Sequence, residues 1–286
     1  MRKFYIITNA VKDENLMLTK KICDYIQLKG GSCSYQVSVD PEFGKRTLSL
    51  EQIPEGTECI FVIGGDGTLI RAARDTVRLK IPLIGVNHGN LGYLCELEED
   101  TVCAAIDRMF SDDYVLEHRM MLSGYVVKDG TEFGEVNALN DIVIHRSGAL
   151  QIVNLVVYVN GEYLSDFMAD GIIVATATGS TAYNMSAGGP IVDPQANLIL
   201  ITPINSHTLN SKSIVLSAED EIVIEVGQRR SEKDEKVEVS FDGDNAVHLE
   251  VGDRIVVHKA KTCTQILKLS KISFLEILRK KMHTYA

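Results

Sequence analysis

Residues 59–68, Cys-Ile-Phe-Val-Ile running straight into Gly-Gly-Asp-Gly-Thr, constrain this chain more than any other stretch. An unbroken apolar run of that length reads as a strand buried on both faces, the mark of a parallel sheet covered by helices. The glycines after it permit positive φ and a close approach of backbone to a ligand. A helix beginning near Thr68 offers free N–H groups and the positive end of its dipole, a natural anion site. Asp66 is out of place beside an anion. Its carboxylate suits a general base toward a hydroxyl, a partner to a magnesium ion, or a simple helix cap. The turn is neither GxxxxGK[ST] nor GxGxxG, which excludes a P-loop and the usual dinucleotide fingerprint.

The strand–turn–helix order repeats over residues 1–117. Phe4–Thr8 reads as a strand, and a helical pattern through Leu16, Ile22 and Ile26 ends at Gly30-Gly31. Ile81–Val86 is a further strand that meets a second Gly- and Asn-rich turn, and Thr101–Phe110 is helical. This half is expected to be an α/β domain with a Rossmann-like parallel sheet. From 118 to 271 the period becomes two. Ile222, Ile224 and Val226 share a face, Val237, Val239 and Phe241 alternate with polar residues, and Ile255 and Val257 do the same. Asn160-Gly161 between apolar runs signals a tight hairpin, and Gln228–Lys236, dense in mixed charge, a solvated hairpin loop. A β-sandwich is expected here. Residues 272–286 return to helical spacing through Phe274, Ile277 and Leu278, and are expected to pack back on the first domain.

Composition closes off several functions. A net charge of −10 argues against a nucleic-acid partner, and an anionic nucleotide then needs a local positive site or a bound cation. No apolar run approaches membrane-spanning length, and the first residues read as a strand rather than a signal peptide. The six cysteines form no CxxC, so reduced thiols in a cytoplasmic protein are expected and zinc is disfavoured.

Three further segments carry chemistry. The second turn, Val86–Leu94, can wrap a ligand with Tyr93 and Leu94 stacked on a flat ring; it also reads as an ordinary loop with an aromatic in the core. Asn140-Asp141 offers donors and acceptors for ribose hydroxyls, or plain turn chemistry. The strongest signal is Asp170–Pro194. A strand, Ile172–Ala177, ends in Thr-Gly-Ser-Thr-Ala-Tyr, and a helix is expected from there to Gly188-Gly189. Small hydroxyl residues and glycines let a sugar-phosphate come close, and Tyr183 supplies an aromatic face for a base.

Taken in order, GGDGT at 64–68, the Asn-x-Gly-x-Leu-Gly-aromatic turn at 87–93, Asn140-Asp141, DGIIVATATGSTAY at 170–183, SAGGPI at 186–191 and Ser240-Phe241-Asp242-Gly243 resemble the NAD kinase family over nearly the whole chain. The resemblance implies an enzyme that phosphorylates the adenosine ribose 2′-hydroxyl of NAD, or of NADH, to give NADP. Its donor would be ATP or a related phosphoryl compound, with Mg2+ or another divalent cation arriving on the substrate phosphates. It implies a homodimer or homotetramer. Asp66 matches the catalytic aspartate, with Gly67 against the ligand and Arg71 toward the phosphates. Gly64, Gly65, Gly67, Thr68 and Arg71 would receive the donor's phosphates. Tyr93 joins the NAD set, Asn140 and Asp141 hold ribose, and Asp170 contacts the nicotinamide half. Thr181, Ala182, Tyr183 and Ser186 line the adenine pocket, and Asp242 and Asp244 fall near the adenosine end. Three positions depart from the family pattern. Asp141 stands where Glu is commoner, Ala177 replaces a usual Pro, and Met168, counted in the NAD set, occupies a place that is often Arg in NAD-selective members. GGDG-type turns also occur in lipid kinases, so a lipid kinase is one alternative. A non-catalytic NAD-binding regulator on the same fold is another.

Overall fold

The structure, a computed structural model, describes residues 1–39, 48–87, 92–148, 152–207, 212–228, 236–270 and 272–284. Most of the expected charged loop (229–235) and the middle of the second turn (88–91) lie outside the described residues. The chain divides into two compact units, Met1–His118 with Thr264–Ala286, and Arg119–Cys263.

The first unit runs β1 (Lys3–Asn9), α1 (Met17–Leu28), β2 (Ser32–Val39), β3 (Cys59–Gly64), α2 (Asp66–Thr76), β4 (Leu83–Asn87), β5 (Leu97–Glu98), α3 (Val102–Phe110) and β6 (Val115–Arg119). The second holds β7 (Leu122–Lys128), β8 (Thr131–Ala138), β9 (Asp141–Arg146), β10 (Val153–Val159), β11 (Glu162–Ala169), β12 (Gly171–Thr176) and the single turn α4 (Tyr183–Ser186). It continues through β13 (Leu198–Ile204), β14 (Ile214–Ser217), β15 (Ile222–Gly227), β16 (Val237–Phe241), β17 (Asp244–Leu249) and β18 (Arg254–Lys259). The chain then returns to the first unit with β19 (Thr264–Lys268) and α5 (Phe274–Thr284).

The first unit is built on one sheet in the order β2-β1-β3-β4-β19-β6, with β5 also on β4. The pairs β1–β2, β1–β3, β3–β4, β4–β5 and β4–β19 are all parallel. Every residue of β3 and β4 is buried, as their unbroken apolar runs require. Ile22 and Ile26 of α1 and Val102, Ile106 and Met109 of α3 join Phe4, Ile6, Phe61, Ile63, Ile84 and Val86 in one core. Ile7, one residue on from Ile6, points to the opposite face, where it shares a small cavity with Thr68, Arg71 and Ala72 of α2. Helices therefore cover both faces. Strand β19 falls within the stretch the sequence reading assigned to the second domain. Its parallel pairing of Ile266 with Leu83 puts it in the first unit's sheet instead. Its five residues alternate like any strand, so only the pairing partner distinguishes the two placements.

The second unit is a sandwich of two six-stranded antiparallel sheets, β11-β10-β15-β18-β7-β8 and β14-β13-β12-β9-β16-β17. Leu155, Ile222, Ile224, Ile255 and Val257 of one meet Ile142, Ile144, Ile172, Val174, Ile199 and Val239 of the other in its main core. β12 is buried on both faces, because its outer side packs Ile173 and Ala175 with Leu200 under Ala187 and Val192. Asn160 and Gly161 carry φ of 51° and 79° between β10 and β11, the two-residue turn their sequence calls for.

The helix expected between Tyr183 and Gly188-Gly189 is the single turn of α4, and the Thr178–Thr181 run before it forms a 3-10 turn. Ala182, at φ −102° and ψ −130°, breaks the helix between them. The buried Asn184 side chain holds that shape, donating to the carbonyls of Ser180 (3.2 Å) and Pro190 (3.0 Å). Among the described residues no helix is long and apolar enough to cross a membrane.

Candidate functional site

In the first unit the residues of the glycine turn come together with the second turn. β3 ends at Gly64, Gly65 caps α2 in an extended conformation, and Asp66 opens the helix. The Asp66 carboxylate accepts the backbone N–H groups of Tyr93 (2.6 Å), Cys95 (3.2 Å) and Leu94 (3.3 Å). Those three bonds clamp the described part of the second turn onto the first. Gly92 is required by this arrangement, since a Cβ there would collide with the Asp66 carboxylate. Among the described residues nothing lies within 4 Å of where a Cβ on Gly67 would stand. Thr68 is buried beneath Gly64. Arg71 lines the cavity with Ile7, Ser38, Thr68 and Asp75. Tyr93 is half-buried, and Lys281 of α5 lies 5.4 Å from its ring centroid.

The 92–95 segment is braced from behind by Glu96. Its carboxylate meets the Lys268 ammonium and accepts the N–H groups of Leu269 (2.9 Å) and Ser270, with both charged side chains largely buried. Burial works to raise the Glu96 pKa. The Lys268 charge, with hydrogen bonds from Lys268 and Ser270, outweighs it and holds the group below the usual range.

In the second unit Asp242 organises the Asn140-Asp141 pair. Asp242 and Gly243 form a tight turn at φ 51° and 73° between β16 and β17. The Asp242 carboxylate accepts the N–H groups of Leu139 (2.8 Å), Asn140 (2.7 Å) and Asp141 (3.1 Å), and its own N–H donates to the Asp141 carbonyl (2.9 Å). Asp141 is 5% exposed. Burial, then the Asp242 charge, pushes its carboxyl up to about 7. Gly179 packs against the Asn140 carbonyl so closely that a Cβ would overlap it. The Thr176 hydroxyl ties the two segments, donating to the Leu139 carbonyl (2.6 Å) and accepting from the Gly179 N–H (3.0 Å). Two buried acceptors, Asn140 Oδ1 and Thr178 Oγ, have no hydrogen-bond partner among the described residues. Such orphaned groups are rare in a finished interior and point to a ligand or water.

Thr181, Ala182, Tyr183 and Ser186 follow on the 3-10 turn and α4, with the Tyr183 ring exposed. Asn184 anchors them, its amide oxygen accepting from the Thr202 hydroxyl (2.7 Å). Asp170 sits between β11 and β12, and its carboxylate accepts from Arg146 (2.8 Å) and Asn205 (3.0 Å). The Arg146 hydrogen bond, then that of Asn205, holds its pKa below the usual range. Met168 is two residues upstream on β11, its carbonyl bonded to the His207 N–H (2.9 Å). The cation beside Asp170 thus comes from the neighbouring strand rather than from position 168. Asp244 begins β17 and is half-buried.

Sequence reasoning missed Glu96, Asn184, Thr176 and Arg146. Thr176 and Asn184 lie inside a recognised block, but the sequence does not show that their side chains tie it together. Glu96 and Arg146 carry no local signal, because their partners are 24 to 174 residues away. Among the described residues, no group of three or more His, Cys, Asp or Glu side chains is placed to hold a metal ion.

Residues 4–114 match the ATP-NAD kinase N-terminal domain, and residues 139–269 match the ATP-NAD kinase C-terminal domain. The chain is 56% identical over 286 residues to an NAD kinase of Agathobacter rectalis, covering 100% of both chains. It is 43% identical to an NAD kinase of Lachnospira eligens, covering 99% of this chain and 100% of that one. Its fold is similar to that of yeast NADH kinase complexed with NADH, at a TM-score of 0.84 and 23% identity, over 99% of this chain and 88% of that one. It is also similar to an NAD kinase from Archaeoglobus fulgidus in complex with ATP, at a TM-score of 0.77 and 22% identity, over 99% of both.

Proposed function

The chain belongs to the NAD kinase family, which phosphorylates the adenosine ribose 2′-hydroxyl of NAD to give NADP, and we propose that Asp66 is its catalytic carboxylate. The observation that carries this reading is the clamp on Asp66. Three backbone N–H groups fix its carboxylate at the edge of a turn whose next residue, Gly67, is uncovered by any of the described residues. Phosphoryl transfer depends on positioning and charge neutralisation more than on covalent chemistry. A carboxylate held by three donors cannot swing, and its remaining lone pair orients the 2′-hydroxyl and receives its proton. The bond from the terminal phosphorus to the donor's bridging oxygen breaks as the bond to the 2′-oxygen forms.

ATP is the donor in this reading, its phosphates received by the backbone at Gly64, Gly65 and Gly67, with Thr68 and Arg71 beside them. The orphaned Asn140 Oδ1 and Thr178 Oγ would each accept a sugar hydroxyl of NAD. Asn140 and Asp141 hold ribose in this reading, and Asp242 acts through the 139–141 backbone. Tyr183, with Thr181, Ala182 and Ser186, receives adenine, while Met168 and Asp170 receive the nicotinamide half. Tyr93 and Asp244 complete the set. A magnesium ion would neutralise charge on the donor's phosphates. The donor set fits an ion that arrives with ATP, since three N–H groups already occupy most of the Asp66 carboxylate. None of the six cysteines is in a disulfide among the described residues, which fits a cytoplasmic setting. Assembly as a homodimer or homotetramer follows from the family resemblance, and light scattering measures it.

Asp66→Asn tests the assignment. Turnover in a coupled NADP assay should fall by roughly 10²-fold or more. The amide also turns an NH2 toward the 93–95 backbone, at a cost of about 1–3 kcal/mol, so folding is checked by circular dichroism. A folded variant that still makes NADP at near-normal rate removes Asp66 from the chemistry.

A further inference from the structure

The turn between β1 and α1 carries residues that the reaction, as described above, does not use. Asn9 closes it. Its carbonyl accepts the N–H groups of Lys12 and Asp13 (2.9 Å each), and its side chain accepts the Val11 N–H (3.1 Å). Asp13, buried, then fastens the turn to α1 by accepting from Leu18 N, Thr19 N and the Thr19 hydroxyl at 2.6–3.0 Å. Between these anchors Lys12 projects to the surface. Its ammonium lies directly over the glycine turn: a Cβ on Gly65 would stand 2.9 Å from Lys12 Nζ. Among the described residues that ammonium has no ion pair and no hydrogen bond. The backbone N–H groups of Asp66 and Gly67, which begin α2, have none either. A cation and two N–H groups without partners among the described residues thus flank one turn, beside a Gly67 whose Cβ position has no described atom within 4 Å, in a chain whose net charge is −10. That is the chemistry of an oxyanion seat.

We propose that Lys12 is a positioning residue for the phosphoryl donor, its ammonium seating the donor's phosphate oxygens over the Gly64–Thr68 turn. This rests on the reading that the donor's phosphates occupy that turn. Gly65 then has a second purpose. Its backbone is extended (φ −121°, ψ −174°), which any residue adopts, so its missing side chain serves to leave room for the ammonium.

The test is steady-state kinetics of the full chain with ATP and NAD varied separately. Lys12→Ala should raise the KM for ATP about tenfold or more, the worth of a charge-assisted hydrogen bond, and leave the KM for NAD within about twofold. Lys12→Arg should recover most of the loss, and added salt should weaken ATP binding less in Lys12→Ala than in the parent. Gly65→Ala, which displaces the ammonium without straining the backbone, should raise the KM for ATP in the same direction. Equal changes in both KM values, or no change for ATP, overturn the proposal. Gly67→Ala separates the two levels. If it raises the KM for ATP while Lys12→Ala is silent, the lysine is idle and the donor site stands. If Gly67→Ala affects NAD alone, the donor is elsewhere and both readings fall.

Discussion

Replacing Asp141 by Asn should make this protein more stable, and more so as the pH rises. Asp141 is 5% exposed and faces the charge of Asp242, which the backbone of residues 139–141 holds in place. Burial first and Asp242 second raise its carboxyl from the ordinary 3.8 to about 7. The folded chain therefore keeps this proton to a higher pH than the unfolded chain does. Below the ordinary value both states are protonated and the group costs nothing. Between the two values the unfolded state alone ionises, so stability drains away as pH rises; above the folded value the cost is complete. At about 1.4 kcal/mol per pH unit, the interval from 3.8 to about 7 amounts to about 4 kcal/mol. Asparagine has nearly the same shape and no such titration. Urea unfolding at a pH near 5 and again near 8 measures the difference. The chain has no tryptophan, so circular dichroism is the signal. Asp141→Asn should gain about 1–2 kcal/mol at the lower pH and about 4 kcal/mol at the higher. A gain that is the same at both, or a loss near pH 8, would refute a proton-retaining carboxyl at this position.

Two further substitutions probe the framework of each unit. Glu96→Gln leaves the Lys268 ammonium nearly buried without its counter-charge and should destabilise the protein by about 3 kcal/mol in thermal melts. Because the Glu96 pKa is lowered, the stability it supplies is present above the ordinary 4.5 and is lost as pH falls through its lower folded value; a gap between parent and variant that persists undiminished in acid contradicts this. Asn184→Ala removes hydrogen bonds to Ser180, Pro190 and Thr202, at a cost of about 2–3 kcal/mol. It should also raise the KM for NAD more than that for ATP, and a variant with an unchanged KM for NAD would show that α4 does not need this anchor.

The strands and helices around the glycine turn were legible in the sequence because burial on both faces leaves a continuous apolar run, as at Cys59–Ile63. The sandwich was legible because burial on one face leaves alternation, as at Ile222–Val226. The hairpin turn at Asn160-Gly161 followed from residues that tolerate positive φ, whereas the one at Asp242-Gly243 emerged only in the structure. The helix expected between Tyr183 and Gly188-Gly189 is present but cut to one turn, because the Asn184 side chain ties it to Ser180 and Pro190.

What the sequence determined by itself was the class of fold, the family and the order of the motifs, since periodicity, turn chemistry and motif spacing are written along the chain. Tertiary structure decided what each motif residue does. Asp66 grips residues 93–95, Asp242 grips 139–141, Glu96 reaches Lys268, and Lys12 stands over Gly65. These contacts join residues tens to hundreds of positions apart. A carboxylate's role depends on which N–H groups, charges and open space surround it, and only the folded chain brings those together.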